Sequence, residues 1–313
     1  MSRPMRRERL EGGLVGLLVG DALGVPYEFS PPEAIPARDL VEMDPPAGFR
    51  RAHGRIRPGT WSDDGALALA LLASLLDTGA LDTADLAGRF RRWFDDGAYA
   101  VDADVFDVGI QTREAIETHR RGVEAERAGG ASERGNGNGS LMRVLPLALL
   151  HQGDDDALVR DAMRQSSVTH GHPRSQVCCA LYCLWARELL DGAADGWGEA
   201  TRRRRAGLPD GPARRELEDH VRPDEVARGR GTGYVVDCLH SARMVLAAEP
   251  TYEGAVKAAI ALGHDTDTTA CVAGGVAGIR AGIGGIPARW RGALRGREIL
   301  DPLLAGMLGR AAT

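Results

Sequence analysis

The chain has 313 residues, of which 43% are hydrophobic and 27% are charged, so it can bury a large core as one large domain or two small ones. Its formal net charge of −5 gives no reason to expect nucleic acid or an anionic membrane surface as a partner. The five cysteines show no zinc-knuckle spacing, and no apolar run reaches the length of a membrane span. These features predict a cytoplasmic protein with reduced, buried thiols.

Helical periodicity dominates the chain, whereas the alternating pattern of β-strands is scarce. The first predicted helix runs from Arg6 to Leu23, and its glycines favour close approach to another helix. Pro26 lacks a backbone donor and ends this helix. Glu28 is left on a loop between two aromatic residues, where a solvated loop acid is the alternative to a functional one. Residues 30–58 are rich in proline, glycine and charge and predict a long surface loop.

An acidic turn at residues 59–65 precedes a helix predicted from Ala66 to Leu76. This helix is apolar nearly all round, so we expect it to be buried and to hold the turn rigidly. Asp63 and Asp64 in the turn are candidate metal ligands, because Mg²⁺ and Mn²⁺ prefer carboxylate and hydroxyl oxygens. The alternative is that Ser62 caps the helix and the two acids interact with its dipole.

The same periodicity predicts seven more helices. Five of them run from Leu81 to Phe94, from Val144 to Leu150, from Ser175 to Leu190, from Tyr252 to Leu262 and from Ala270 to Gly284. The other two are predicted to end at about Arg121 and at Ala248. Residues 192–230 are dense in charge and proline and predict an exposed insertion or lid with one short helix around Arg214 to His220. The expected fold is all-α, an orthogonal multi-helix bundle.

A glycine-rich loop at residues 135–143 enters the helix that begins at Val144. Glycines let backbone N–H groups approach a ligand, and a helix N-terminus favours anions. The loop has no Gly-Lys-Ser/Thr sequence and follows no predicted strand, which excludes a Walker A loop and a dinucleotide fingerprint. An anion-binding loop and a flexible turn both remain open.

Asp107 and His170 are candidates that local pattern leaves open. Asp107 precedes a predicted helix and fits a cap, a surface acid or a substrate contact. His170 and His172 are two residues apart on a loop, which argues against the zinc site formed by histidines four residues apart on a helix. His170 fits a ligand contact and a bond to a neighbouring backbone group equally well.

A second acidic turn, residues 263–269, opens the last predicted helix. Asp265 and Asp267 alternate there with threonines, of which Thr266 is an alternative N-cap. If the two acidic turns meet, four carboxylates share one pocket and cannot all stay ionised at neutral pH without cations between them. Together the turns predict a site for one or two Mg²⁺ or Mn²⁺ ions at one end of the bundle.

Seven segments, taken in chain order, resemble the ADP-ribosylglycohydrolase superfamily, which includes dinitrogenase-reductase-activating glycohydrolases and ADP-ribosyl-acceptor hydrolases. The segments are GDALGVPYEF, SDDGALALALL, FDVGIQTREAI, GNGNGSLMR, THGH, TGYVVDCL and GHDTDTTACVAGGVAGIRAG. No single segment is decisive, but the ordered set is highly specific. The resemblance implies a single all-α domain over residues 1–313, with its core at about residues 8–305 and the surface insertion at 192–230.

The resemblance also implies a dinuclear Mg²⁺ or Mn²⁺ centre. The implied metal ligands are Ser62, Asp63, Asp64, Asp265, Asp267 and Thr268, with serine at the first position, where the family usually has threonine. The implied catalytic residues are Glu28, Asp64 and Asp107. The implied ADP-ribose contacts are Gly137, Asn138, Gly139, Ser140, Met142, His170, Gly233 and Tyr234.

On this resemblance we expect a metal-dependent hydrolase that cleaves the bond between ADP-ribose and a modified protein, with ADP-ribosylated arginine as the favoured acceptor. Serine, O-acetyl-ADP-ribose and nucleic-acid adducts are alternative linkages, and a non-catalytic ADP-ribose-binding protein is the alternative class. The presence of Glu28 and of every implied metal-site oxygen favours the enzyme. A further hypothesis is that the chain also blocks a cognate ADP-ribosyltransferase toxin.

Overall fold

Fifteen α-helices and no β-strand make up the part of the chain that the structure, a computed structural model, describes, which is residues 5–310. The helices are α1 Arg6–Gly24, α2 Asp63–Thr78, α3 Thr83–Asp96, α4 Ile110–Arg120, α5 Ala125–Ala128, α6 Leu145–Leu150, α7 Asp155–Ser167, α8 Pro173–Leu190, α9 Trp197–Ala206, α10 Pro212–Arg215, α11 Val235–Ala248, α12 Tyr252–Ile260, α13 Thr266–Ala281, α14 Ala288–Ala293 and α15 Arg297–Arg310. Short 3₁₀ turns lie at Val25–Tyr27, Pro32–Ala34, Arg38–Leu40, Val101–Ala103 and Ile283–Gly285, and a π-helical turn covers Glu216–Val221. The predicted all-α fold is confirmed. None of the described helices is long and apolar enough to cross a membrane.

Helices with a cap and a periodic apolar face begin close to their predicted bounds. Ser62 caps α2, and its hydroxyl oxygen accepts a hydrogen bond from the Asp64 N–H at 3.3 Å. Asp82 caps α3 by accepting hydrogen bonds from two backbone N–H groups. Thr266 is not the predicted cap: it is the first residue of α13, and its hydroxyl donates to the Gly24 carbonyl at 2.8 Å. Thr266 therefore ties the start of α13 to the end of α1.

Residues 192–230 contain more helix and more buried residues than predicted. Trp197 begins α9, is buried, and donates its indole N–H to the Pro223 carbonyl at 2.9 Å. Arg204 of the arginine run is 1% exposed, and Leu217 is fully buried. The short helix predicted around Arg214 to His220 is present as α10 and the π-helical turn that follows it. The prediction that it is the one helix of an exposed segment was wrong, because α9 precedes it and apolar residues between the charges pack inward. That the segment is an insertion stays a prediction. Helices α7, α14 and α15 are further elements without a sequence prediction.

Helices α1 and α13 pack backbone against backbone, as their small residues predicted. Glycines recur every four residues from Gly12 to Gly24 along one face of α1. A methyl group added at Gly20 would overlap the Ala270 carbonyl oxygen, and the other three glycines of the row meet the α13 backbone just as closely. Side chains on this face would force the helices apart. The close contact places the end of α1 beside Asp267 at the start of α13.

Candidate active site

The two acidic turns meet where the N-termini of α2 and α13 lie side by side. The Thr268 hydroxyl of α13 donates to Asp64 Oδ1 of α2 at 3.4 Å. Asp63, Asp64 and Asp267 are buried, and Asp265 is half-buried. The structure therefore brings together the four carboxylates that the sequence placed on two separate turns.

Two buried oxygens of this carboxylate cluster lack a hydrogen-bond partner in the part of the chain that the structure describes. Among the described residues, Oδ2 of Asp64 and Oδ2 of Asp267 are buried without a hydrogen-bond donor. Burial first, and neighbouring carboxylates second, raise the pKa of Asp63, Asp64 and Asp267 well above the usual range. Buried carboxylate and hydroxyl oxygens are the ligands of hard divalent cations, so this donor set fits Mg²⁺ or Mn²⁺.

Asp21 of α1 is another acid at this site, and it had no predicted function. Its fully buried carboxylate accepts hydrogen bonds from the N–H groups of Ser62 at 3.0 Å and Gly65 at 2.8 Å. Burial raises the pKa of Asp21 to about 7, although these hydrogen bonds lower it. Asp21 thus fixes the first turn of α2. A single acid within the otherwise uncharged run of residues 12–24 is the sequence signal that could have revealed it.

Glu28 is 4% exposed, so the alternative of a solvated loop acid is wrong. Glu28, Asp265 and Asp267 each have a carboxylate oxygen within 4.8 Å of those of the other two. In a second group, a ring nitrogen of His53 and carboxylate oxygens of Glu28 and Asp107 lie equally close to one another. His53 Nε2 is 2.6 Å from Glu28 Oε2. Burial, followed by the Asp107 and Asp265 carboxylates, raises the pKa of Glu28 to about 10. Burial also raises the pKa of Asp107 to about 6.

Three residues at the site have left-handed φ angles without being glycine: Phe29 at 58°, Asp107 at 53° and His264 at 62°. The Phe29 N–H donates to the His264 carbonyl at 2.6 Å, and the His264 N–H donates to the Ser30 carbonyl at 2.7 Å. These reciprocal bonds hold Glu28 against the second acidic turn. Backbone strain of this kind persists only where surrounding contacts impose it, and it is typical of functional sites.

The glycine-rich loop lies beside the acidic cluster and is bonded to it. Asn138 Nδ2 donates to Asp265 Oδ2 at 2.8 Å, and the Asn138 N–H donates to the Gly233 carbonyl at 3.0 Å. The Gly137 N–H donates to Gln111 Oε1 at 3.0 Å. Gln111 had no predicted function. The loop is therefore hydrogen-bonded into the site, as expected of an anion-binding loop.

Arg143 supports the glycine-rich loop from within the protein. It is fully buried, and its guanidinium donates to the Gly139 carbonyl at 2.8 Å and the Gln165 carbonyl at 3.2 Å. Burial lowers the pKa of Arg143 to about 10. Ser140 is also fully buried, and its hydroxyl accepts a hydrogen bond from the Ser166 hydroxyl at 2.9 Å. The Ser140 side chain therefore faces the interior.

These elements surround a cavity of about 550 Å³, within the usual size range of small-molecule sites. The predicted site residues that line it are Asp63, Asp64, Asp107, Gly137, Asn138, Gly139, Met142, His170, Gly233, Tyr234, Asp265 and Thr268. The other predicted site residues, Glu28, Ser62, Ser140 and Asp267, are buried behind this lining. Burial, and then Arg143, lower the pKa of His170 to about 3, so its ring meets the cavity uncharged.

The chain is similar over nearly its whole length to known proteins. A family model described as ADP-ribosylglycohydrolase matches residues 2–312. The chain belongs to the ADP-ribosylglycohydrolase family. The ADP-ribosylarginine hydrolase Tri1 of Pseudomonas putida is 31% identical over 289 residues, covering 90% of this chain and 73% of that protein. The ADP-ribosyl-[dinitrogen reductase] glycohydrolase of Rhodospirillum rubrum is 29% identical, covering 93% of this chain and 91% of that protein.

A solved structure shows the same similarity in three dimensions. An ADP-ribosylglycohydrolase-related protein complex contains a chain that superposes with a TM-score of 0.80 and 31% identity, covering 98% of this chain and 99% of that one. The family predicted from the sequence is thus confirmed over the whole fold. As a member of the ADP-ribosylglycohydrolase family, the protein is a hydrolase of the glycosidic bond that joins ADP-ribose to an acceptor.

Proposed function

We propose that the protein is a metal-dependent ADP-ribosylarginine hydrolase, which releases ADP-ribose from modified arginine side chains of proteins. The observation that carries the metal dependence is the pair of buried oxygens without partners among the described residues, Asp64 Oδ2 and Asp267 Oδ2. The arginine acceptor is supported by similarity to Tri1, which is named as an ADP-ribosylarginine hydrolase. The five free, buried cysteines support a cytoplasmic location.

The proposed ligands of two Mg²⁺ or Mn²⁺ ions come from both acidic turns. They are Ser62, Asp63, Asp64, Asp265, Asp267 and Thr268. When bound, such cations neutralise the carboxylates, orient ribose hydroxyl groups and make a water more acidic. Serine in place of the usual threonine keeps the hydroxyl oxygen, which accepts the Asp64 N–H while a lone pair is left.

The reaction forms a bond from a water oxygen to the anomeric ribose carbon and breaks the bond from that carbon to the acceptor nitrogen. Glu28 accepts the proton of the water or delivers one to the departing guanidino group. Asp107 lines the cavity and accepts a hydrogen bond from a ribose hydroxyl. Asp64 lies at the boundary between the cavity and the core, and its second oxygen, Oδ2, contributes to the proposed metal site.

The glycine-rich loop binds the pyrophosphate of ADP-ribose in this proposal. The N–H groups of Gly137 and Asn138 already donate within the protein, so the anion binds N–H groups further along, at Gly139 and Ser140. Tyr234 is 38% exposed at the cavity and presents its ring to the ligand. His170 and Met142 complete the wall.

The deciding experiment measures free ADP-ribose released from matched arginine-linked and serine-linked peptides, with Mg²⁺, with Mn²⁺ and with EDTA. We expect release from the arginine-linked peptide with metal and none with EDTA. Release from the serine-linked peptide alone would show that the acceptor is serine and not arginine. No release from either, with measurable ADP-ribose binding, would favour another linkage, such as O-acetyl-ADP-ribose or a nucleic-acid adduct, or a non-catalytic binding protein.

Replacing the proposed proton-transfer group should separate catalysis from binding. Glu28→Gln should lower kcat by about 100-fold or more, because proton transfer is lost, while the Kd for ADP-ribose changes by less than about twofold. Steady-state kinetics and calorimetry measure the two quantities. Unchanged turnover would remove Glu28 from the mechanism.

An ADP-ribosyltransferase toxin is a further proposed partner. Inhibition of such a toxin by the Glu28→Gln variant would show a function that is independent of hydrolysis.

A further inference from the structure

We infer that His53 is a positioning residue that holds the Glu28 carboxyl group for proton transfer, an inference that rests on the proposed function. His53 belongs to the long loop of residues 30–58, which has no periodic pattern. Its Nε2 lies 2.6 Å from Glu28 Oε2. The His53 side chain is 18% exposed and the Glu28 side chain 3% exposed, so water competes little for this hydrogen bond.

The surroundings of His53 fix both its ring and its backbone. The ring centroid lies 5.1 Å from that of Phe106 and 5.9 Å from that of Phe29. Phe106 is itself buried in a small apolar cluster with Val25 and Ile56. The His53 carbonyl accepts a hydrogen bond from the Ile56 N–H at 2.9 Å, which closes a turn. The imidazole is therefore anchored independently of Glu28.

Glu28 needs such a partner because its other neighbours are acids. Oxygens of Asp107 on one side, and of Asp265 and Asp267 on the other, lie within 4.8 Å of a Glu28 oxygen. An ionised carboxylate offers Glu28 no hydrogen-bond donor, whereas an imidazole can donate an N–H to Glu28 or accept its proton. His53 can thus hold the carboxyl group in one orientation before and after proton transfer. Loss of outer partners of this kind typically lowers activity about 10–100-fold.

The test separates the hydrogen bond from the packing of the ring. His53→Phe keeps an aromatic ring against its two neighbours and removes the hydrogen bond. His53→Gln places an amide nitrogen at a similar reach and keeps a donor. His119→Phe is the matched control, because this half-buried histidine on α4 lies elsewhere and contacts the Val123 carbonyl at 3.0 Å. Each variant is assayed for kcat and KM on an ADP-ribosylarginine peptide with Mn²⁺, and for ADP-ribose and Mn²⁺ affinity.

We expect His53→Phe to lower kcat about 10–100-fold, with KM and both affinities within about twofold of the wild type. His53→Gln should recover most of this loss, and His119→Phe should behave as the wild type. In a Glu28→Gln background, measured by single turnover, His53→Phe should cause no further loss, because the group that it positions is gone.

An unchanged kcat for His53→Phe would overturn the inference, and so would a full additional loss in the Glu28→Gln background. Both results would leave the proposed function intact, provided that the wild type is active and Glu28→Gln alone is impaired. If the wild type releases ADP-ribose from no linkage, the proposed function fails and this inference fails with it. If His53→Phe does not fold, as judged by its thermal transition, His53→Leu takes its place with the same expected outcomes.

Discussion

Gly139 accepts no side chain, because a methyl group added to it would lie 2.9 Å from Cε1 of the His170 ring. That ring is buried, and its Nδ1 lies 2.7 Å from Thr169 Oγ1, so moving it away would break this hydrogen bond. Gly139→Ala should therefore displace the loop and weaken ADP-ribose binding about tenfold or more, as isothermal titration calorimetry would measure.

A second glycine near the same loop provides the control for this prediction. A methyl group added at Gly130 meets no atom within 4 Å, so Gly130→Ala should leave the ADP-ribose affinity unchanged. The metal affinity should stay the same in both variants. Equal ADP-ribose affinities for Gly139→Ala and the wild type would show that this loop does not hold the ligand.

Helix α1 depends on its row of glycines for contact with α13. Gly20→Ala would place a methyl group onto the Ala270 carbonyl of α13, and backbone atoms cannot move aside as a flexible side chain does. We expect the free energy of unfolding to fall by about 3 kcal/mol, as measured by urea denaturation. Because Asp21 and Glu28 follow on the same segment, turnover should fall as well.

The matched control for the helix contact is Gly88→Ala in α3. Gly88 also lies within a helix, but an added methyl group there meets no atom within 4 Å. Alanine favours a helix over glycine, so this variant should be more stable than the wild type by up to about 1 kcal/mol. Similar effects of Gly20→Ala and Gly88→Ala would contradict the role of the close helix contact.

The carboxylate cluster joins elements from distant parts of the chain, so cation binding should stabilise the whole molecule. A ligand that binds only the folded state at 100 times its Kd adds about 2.7 kcal/mol to the free energy of unfolding. Mn²⁺ should therefore raise the Tm of the wild type by several degrees over its value in EDTA, as calorimetry would show.

Asp267→Asn tests whether this stabilisation comes from the cluster. The substitution removes a buried carboxylate whose Oδ2 has no partner among the described residues, so the metal-free protein should lose little stability. Its Tm should no longer respond to Mn²⁺. An equal response in the variant and the wild type would place the stabilising cation elsewhere.

Local sequence patterns were sufficient for much of the fold and for the acids of the site. The cap at Ser62 and the apolar run after it predicted α2, and the acids at 63, 64, 265 and 267 stood out beside helix starts. These signals lie within a few neighbouring residues and need no partner elsewhere. Helix α9 was not predicted, because its run of arginines obscures the periodic pattern of the residues on its buried face.

Other parts of the site exist only through packing between distant segments. His53 reaches Glu28 across 25 residues from a loop without periodicity, and Asp21 binds the N-terminus of α2 across 41 residues. Whether the two acidic turns meet at all depends on α1 and α13 packing backbone to backbone. A residue's neighbours along the chain do not encode these contacts, because each one results from how separate helices share a common core.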